Sequence, residues 1–89
     1  MKELYLEVTF RHGRPIAAYL YLPRVTGEKS SRTLKVEPGM VIDFGLSGKP
    51  IGIEITAPTK ITVADLNAVL SQLGLSPLKE SELAPLRAA

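Results

Sequence analysis

The chain has 89 residues, 45% apolar and 22% charged, with a formal net charge of +2. That profile suits one globular domain with a single core layer and leaves no room for a deep interdomain cleft. There is no cysteine, which excludes disulfides, iron–sulfur clusters, thiol catalysis and cysteine zinc sites, and one histidine argues against a transition-metal centre.

The start, "MKELYLEVTF", alternates charged and apolar residues instead of running apolar as a signal peptide does. No apolar stretch approaches the roughly 20 residues that cross a bilayer. A cytoplasmic location, no membrane partner and no cofactor are therefore expected.

In residues 3 to 11, Leu4, Leu6, Val8 and Phe10 alternate with Glu3, Tyr5, Glu7, Thr9 and Arg11. In residues 15 to 23, Ile16, Ala18, Leu20 and Leu22 alternate with Ala17, Tyr19 and Tyr21. Period-two alternation predicts half-buried strands, and the requirement that paired residues share a face sets their register. An odd loop, His12-Gly13-Arg14, pairs Phe10 with Ile16, Val8 with Ala18, Leu6 with Leu20 and Leu4 with Leu22. A two-residue loop would set leucines against tyrosines, so the odd loop is expected.

The irregular stretch "RVTGEKSS" leads to a short strand, "RTLKVE", with Leu34 and Val36 inward. Pro38-Gly39 suits a type II turn. With Met40 in the loop, Val36 pairs with Ile42, Leu34 with Phe44, and Lys35 lies across from Asp43. The stretch "GMVIDFGLSGKPIGIEI" reads as a hairpin about Ser47-Gly48. An even connection sets Phe44 opposite Ile51, Ile42 opposite Ile53 and Asp43 opposite Gly52, with Gly48 at positive φ. Pro50 lacks an N–H and so begins its strand or lies at an edge.

After "APTK" the period changes. Val63, Leu66, Leu70 and Leu73 fall at helical spacing with Val69 beside them, which predicts a helix over Val63 to Leu73. Thr62 and Asp65 form a capping box, and Gly74 supplies the C-terminal stop. In the tail "SPLKESELAPLRAA", Pro77 can open a helical turn that Pro85 limits. Its Leu78, Leu83 and Leu86 can pack back on the domain or onto another chain. The expected architecture is α+β: an antiparallel β-meander sheet of about five strands with one C-terminal helix packed on one face. Residues 1–75 make the domain and 76–89 the tail.

Residues "AAYLYL" and "GMVIDFGLSGKPIGIEI" resemble a prokaryotic family known as domain of unknown function 2283. That family has an alanine–tyrosine strand, then valine–hydrophobic–aspartate, a glycine turn and "GIEI". The matching positions are Ala18, Tyr19 and Leu20, then Val41, Asp43, Gly48, and Gly52 to Ile55. The resemblance covers residues 15 to 58; the full first strand and the capped helix lie outside it. It implies a compact β-rich module with no established activity. Relatives beside small toxin-like proteins imply a partner-binding role.

Three groups of residues invite a functional reading. Asp43 and Glu54 lie diagonally on the outer face, roughly 7 Å apart, a spacing that suits a water-activating pair in a hydrolase. Such a pair needs a cleft, however, and an open sheet face leaves both acids solvated. Lys35 opposite Asp43 makes a simple cross-strand ion pair instead. Gly52, a glycine inside a strand, marks a bulge or the close approach of something else, a neighbouring tyrosine or a second subunit's backbone.

Tyr5, Tyr19 and Tyr21 project from the same outer face and are the strongest functional feature. They could stack nucleic-acid bases, with phosphates held by the basic residues Arg11, Arg14, Arg24, Lys29, Arg32 and Lys35, which face one acid, Glu28, across residues 11 to 35. The strand order does not fit the RNA-recognition fold, and the basic loops fall at opposite ends of a meander. Tyrosine is also enriched in protein interfaces, although plain cross-strand packing accounts for the rings equally well. His12, at a hairpin tip with no nucleophile or acid beside it, gives no catalytic site, and the glycines match no phosphate loop.

The expected protein is therefore a non-enzymatic interaction module, forming a homodimer or binding a small partner protein. Its candidate interface is Tyr5, Tyr19, Tyr21, Arg11, Lys35, Asp43, Gly52 and Glu54. Nucleic-acid binding is the alternative, and a hydrolase built on Asp43 and Glu54 is more remote.

Overall fold

The computed structural model describes residues 5–23 and 29–87, the last three as backbone only. Five strands form one antiparallel sheet: β1 (Tyr5–Arg11), β2 (Arg14–Tyr21), β3 (Ser30–Val36), β4 (Met40–Gly45) and β5 (Pro50–Ile55). One α-helix, α1 (Val63–Gln72), follows a short 3-10 turn at Pro58–Lys60, and a second 3-10 helix spans Glu80–Arg87. The α+β architecture is as expected from the pattern. The strand order β1-β2-β5-β4-β3 refines the meander: β3, β4 and β5 follow one another, but β2 pairs with β5 instead of β3. The expectations for Glu3, Leu4, Arg24, most of "RVTGEKSS" and the Leu86 side chain lie outside the described residues.

Two inner rows of side chains run across all five strands. One is Leu6, Leu20, Ile53, Ile42 and Leu34; the other is Val8, Ala18, Ile55, Met40 and Val36. Leu20, Met40, Ile53 and Ile55 in these rows are fully buried. Leu66, Val69 and Leu70 of α1 close over them, joined by Ile61, Leu78 and Leu83. Each such side chain contributes about 1.5–3 kcal/mol of burial.

The capping box is present, with the Asp65 N–H donating to Thr62 Oγ1 (3.0 Å) and the Thr62 N–H to Asp65 Oδ2 (2.9 Å). At the other end Gly74 has φ +76°, and the Leu75 N–H reaches the Leu70 carbonyl (2.8 Å), a Schellman closure.

Both hairpin tips depart from the expected parity, each compensated by a bulge. In the first, Arg11 pairs with Arg14 around a two-residue turn in which His12 and Gly13 both have positive φ, the type I′ geometry. Ile16 is then the extra residue, so Phe10 lies opposite Pro15 and the expected Phe10–Ile16 pair does not form. In the second, the Gly48 N–H bonds to the Gly45 carbonyl and the Gly45 N–H to the Lys49 carbonyl, enclosing a three-residue loop with Gly48 at φ +88°. Ile51 is the extra residue there, and Phe44 meets Pro50 instead of Ile51. Farther from the tips the register is the expected one: Leu6–Leu20, Val8–Ala18, Ile42–Ile53 and Asp43–Gly52.

The β3–β4 turn is displaced by one residue, comprising Glu37-Pro38-Gly39 instead of Pro38-Gly39-Met40. The Gly39 N–H bonds to the Val36 carbonyl, so Pro38 is the third residue of the turn, and the expected type II turn, with proline second and Gly39 third, is not formed. Val36 pairs with Met40, Leu34 with Ile42 and Lys35 with Val41. Keeping Met40 out of the loop slides β3 by two residues, which preserves its facing but changes every partner.

Candidate functional site: the tyrosine face

Alternation places two further rows on the outer face: Tyr5, Tyr21, Gly52, Asp43 and Thr33, and Glu7, Tyr19, Glu54, Val41 and Lys35. The described helical segments send their buried apolar side chains into the cluster on the opposite face. Tyr19 is the centre of this outer surface. From β2 its ring crosses β5 over Gly52, where a Cβ would overlap the phenol's Oη, Cζ and Cε2. Its hydroxyl then donates to Asp43 Oδ2 on β4 at 2.6 Å. Three strands are thereby tied by one side chain, and the close approach read from Gly52 is that of a neighbouring tyrosine.

Tyr21 meets the Tyr19 ring edge-on, with centroids 4.7 Å apart, and the Tyr5 ring at 5.5 Å, both favourable aromatic separations. The Tyr21 hydroxyl donates to Glu7 Oε1 (3.1 Å). Tyr5 keeps 50% of its surface exposed. Glu7 is a member of this surface beyond the residues expected from the sequence, although its register opposite Tyr19 puts it diagonal to Tyr21 and within a phenol's reach.

Two candidates fall elsewhere than expected. Lys35 faces Val41, and Thr33 takes the place opposite Asp43; the hydrogen-bond partner of Asp43 is Tyr19, not Lys35. Arg11 sits beside the His12–Gly13 turn opposite Arg14, roughly 20 Å along the strand from Tyr5. The surface thus gathers Tyr5, Tyr19, Tyr21, Asp43, Gly52 and Glu54, with Lys35 at its far edge and Arg11 outside it. Glu7, Asp43 and Glu54 stand on it against Lys35, so the tyrosines lie in an acidic setting.

A half-open hollow of about 80 Å³ lies at the margin of β1, lined by Tyr5, Leu6, Leu20, Leu78, Glu82 and Leu83. At the opposite edge, the Arg32 guanidinium rests 4.2 Å from the centre of the Phe44 ring.

Residues 17–57 match the model of a family described as "Protein of unknown function (DUF2283)". The chain is therefore similar to that family over β2 through β5, the segment that carries Tyr19, Asp43 and Gly52. No curated protein and no solved structure matches the chain.

Proposed function

We propose that the protein is a non-enzymatic interaction module whose outer sheet face docks another protein of basic character. One observation carries this reading: the sheet is covered on one face, while the other presents a tyrosine ledge set among Glu7, Asp43 and Glu54. Tyrosine offers large contact area at small entropic cost and is enriched where proteins meet. The acidic surroundings favour cationic groups over phosphates, which removes support from base stacking with phosphate contacts. They also disfavour a second copy laid face to face, which would bring acidic surfaces together.

The test uses Glu54→Lys, an exposed change near the middle of the face. Immobilised wild-type protein and the variant are compared for retention of proteins from cell extract, and each retained protein is rebound in purified form. Basic partners held by the wild type and lost by the variant are expected. Equal retention by both would overturn the reading. Retention of a single-stranded oligonucleotide at low salt, weakening as salt rises, would redirect it to nucleic acid.

A further inference from the structure

Among the described residues the sheet ends in two edge strands, β1 and β3, and they are built differently. β3 carries Arg32 and Lys35 and a register break between Ser30 and Arg32, the kinds of feature by which proteins guard an edge against further pairing. β1 carries one cation, Arg11 at its end, and Glu7 in its middle, with no proline and no extra residue of its own. It exposes Phe10 at 46% and Tyr5 at 50%, with the bulged Ile16 beside Phe10 at 46%, whereas the exposed Leu34 of β3 is flanked by Arg32 and Lys35. Among the described residues no strand pairs with the outer side of β1.

We propose that two copies of the chain pair edge to edge through β1, antiparallel about a two-fold axis at Val8, to make one continuous sheet. This edge adjoins the tyrosine face and shares Tyr5 and Glu7 with it, but the inference does not rest on the reading of that face.

Self-complementarity is what selects a second copy. In this register Val8 meets its own counterpart, Leu6 meets Phe10, Glu7 meets Thr9 and Tyr5 meets Arg11, so all seven residues of β1 are used. Phe10 and Leu6 lie four residues apart and share the inner face. The exposed ring of one copy therefore arrives beside Leu6 of the other, at the hollow walled by Leu20, Leu78 and Leu83. On the outer face, the Arg11 guanidinium reaches the exposed Tyr5 ring and lies diagonal to Glu7, favourable cation–π and ion-pair positions. Each contact occurs twice, as an isologous interface requires.

The chain has no cysteine, so single cysteines report the register directly. Residues facing each other across an antiparallel pair have Cα atoms about 4.5–5.5 Å apart, within disulfide range. Under mild oxidation Val8→Cys should form a disulfide-linked dimer, whereas Thr33→Cys, midway along β3, should not. Light scattering from micromolar to millimolar concentration should show wild-type mass rising to that of a dimer. Phe10→Ser, an exposed change, should stay monomeric with unchanged circular dichroism. Glu54→Lys should dimerise like wild type, which separates this surface from the tyrosine face. A monomeric mass at every concentration would overturn the proposal. So would a dimer unaffected by Phe10→Ser, or Val8→Cys linking no faster than Thr33→Cys.

Discussion

At Gly52 the absence of a side chain is a structural requirement, because the Tyr19 ring occupies the space a Cβ would take. A glycine in mid-strand ordinarily costs stability through backbone entropy; covering it with an aromatic ring recovers buried surface on the same spot. Gly52→Ala should push the ring aside and break its bond to Asp43, costing about 1–3 kcal/mol by urea unfolding. In a Tyr19→Ala background the same change should be close to neutral, and a double-mutant cycle reads the coupling. Tyr19→Phe keeps the ring and deletes the hydroxyl, for a loss of about 1 kcal/mol. An undiminished cost of Gly52→Ala in the Tyr19→Ala background would place the obstacle elsewhere. A glycine between Ile51 and Ile53 signals either a bulge or a close approach, and both occur there: Ile51 is the bulged residue and the Tyr19 ring lies over Gly52. The sequence offered no means of choosing between a tyrosine and another backbone, because that depends on which strands are neighbours.

Among the elements, the caps of α1 were fully legible. Thr62, Asp65 and Gly74 act through local backbone geometry that needs no knowledge of the rest of the chain. Thr62→Ala should cost about 1 kcal/mol, seen as a lower thermal midpoint with an unchanged folded spectrum. The hairpins were legible in their middles and misread at their tips. An unbroken ladder from turn to core would require the number of loop residues to match the apolar pattern. Bulges at Ile16 and Ile51 separate the two: the pattern governs the paired interior, while the turn adopts whichever short loop its residues favour. His12-Gly13 forms a two-residue turn and Leu46-Ser47-Gly48 a three-residue one, and each leaves one residue over for its strand to absorb. The Lys35–Asp43 pair failed for a related reason, since counting Met40 as loop shifted β3 by two positions without changing which side chains faced inward.

At the scale of the whole molecule, the segment after α1 is part of the core. Leu78 and Leu83 are buried with the sheet leucines. The Asn67 side chain holds the Leu78 backbone at both ends, donating to its carbonyl (3.0 Å) and accepting from its N–H (2.7 Å). Leu83→Ala should therefore cost about 2–5 kcal/mol, and Asn67→Ala about 1–3 kcal/mol by stranding two backbone groups, both measured by chemical denaturation. Ready cleavage beyond Ser76 by a protease, in the Asn67 variant but not in wild type, would show that the clasp holds the tail in place. The leucines themselves hinted at this packing, but the clasp could not be foreseen, because Asn67 lies on the helix surface at no position that sequence spacing marks.

The three tyrosines are all the tyrosine the chain has, and it has no tryptophan. Because Tyr5, Tyr19 and Tyr21 stand in one contiguous cluster, the protein's intrinsic ultraviolet emission, and most of its near-ultraviolet dichroism, originate from a single patch of its surface. A ligand free of tyrosine and tryptophan arriving there can be followed by unlabelled fluorescence, with no tryptophan elsewhere in the fold to mask the signal.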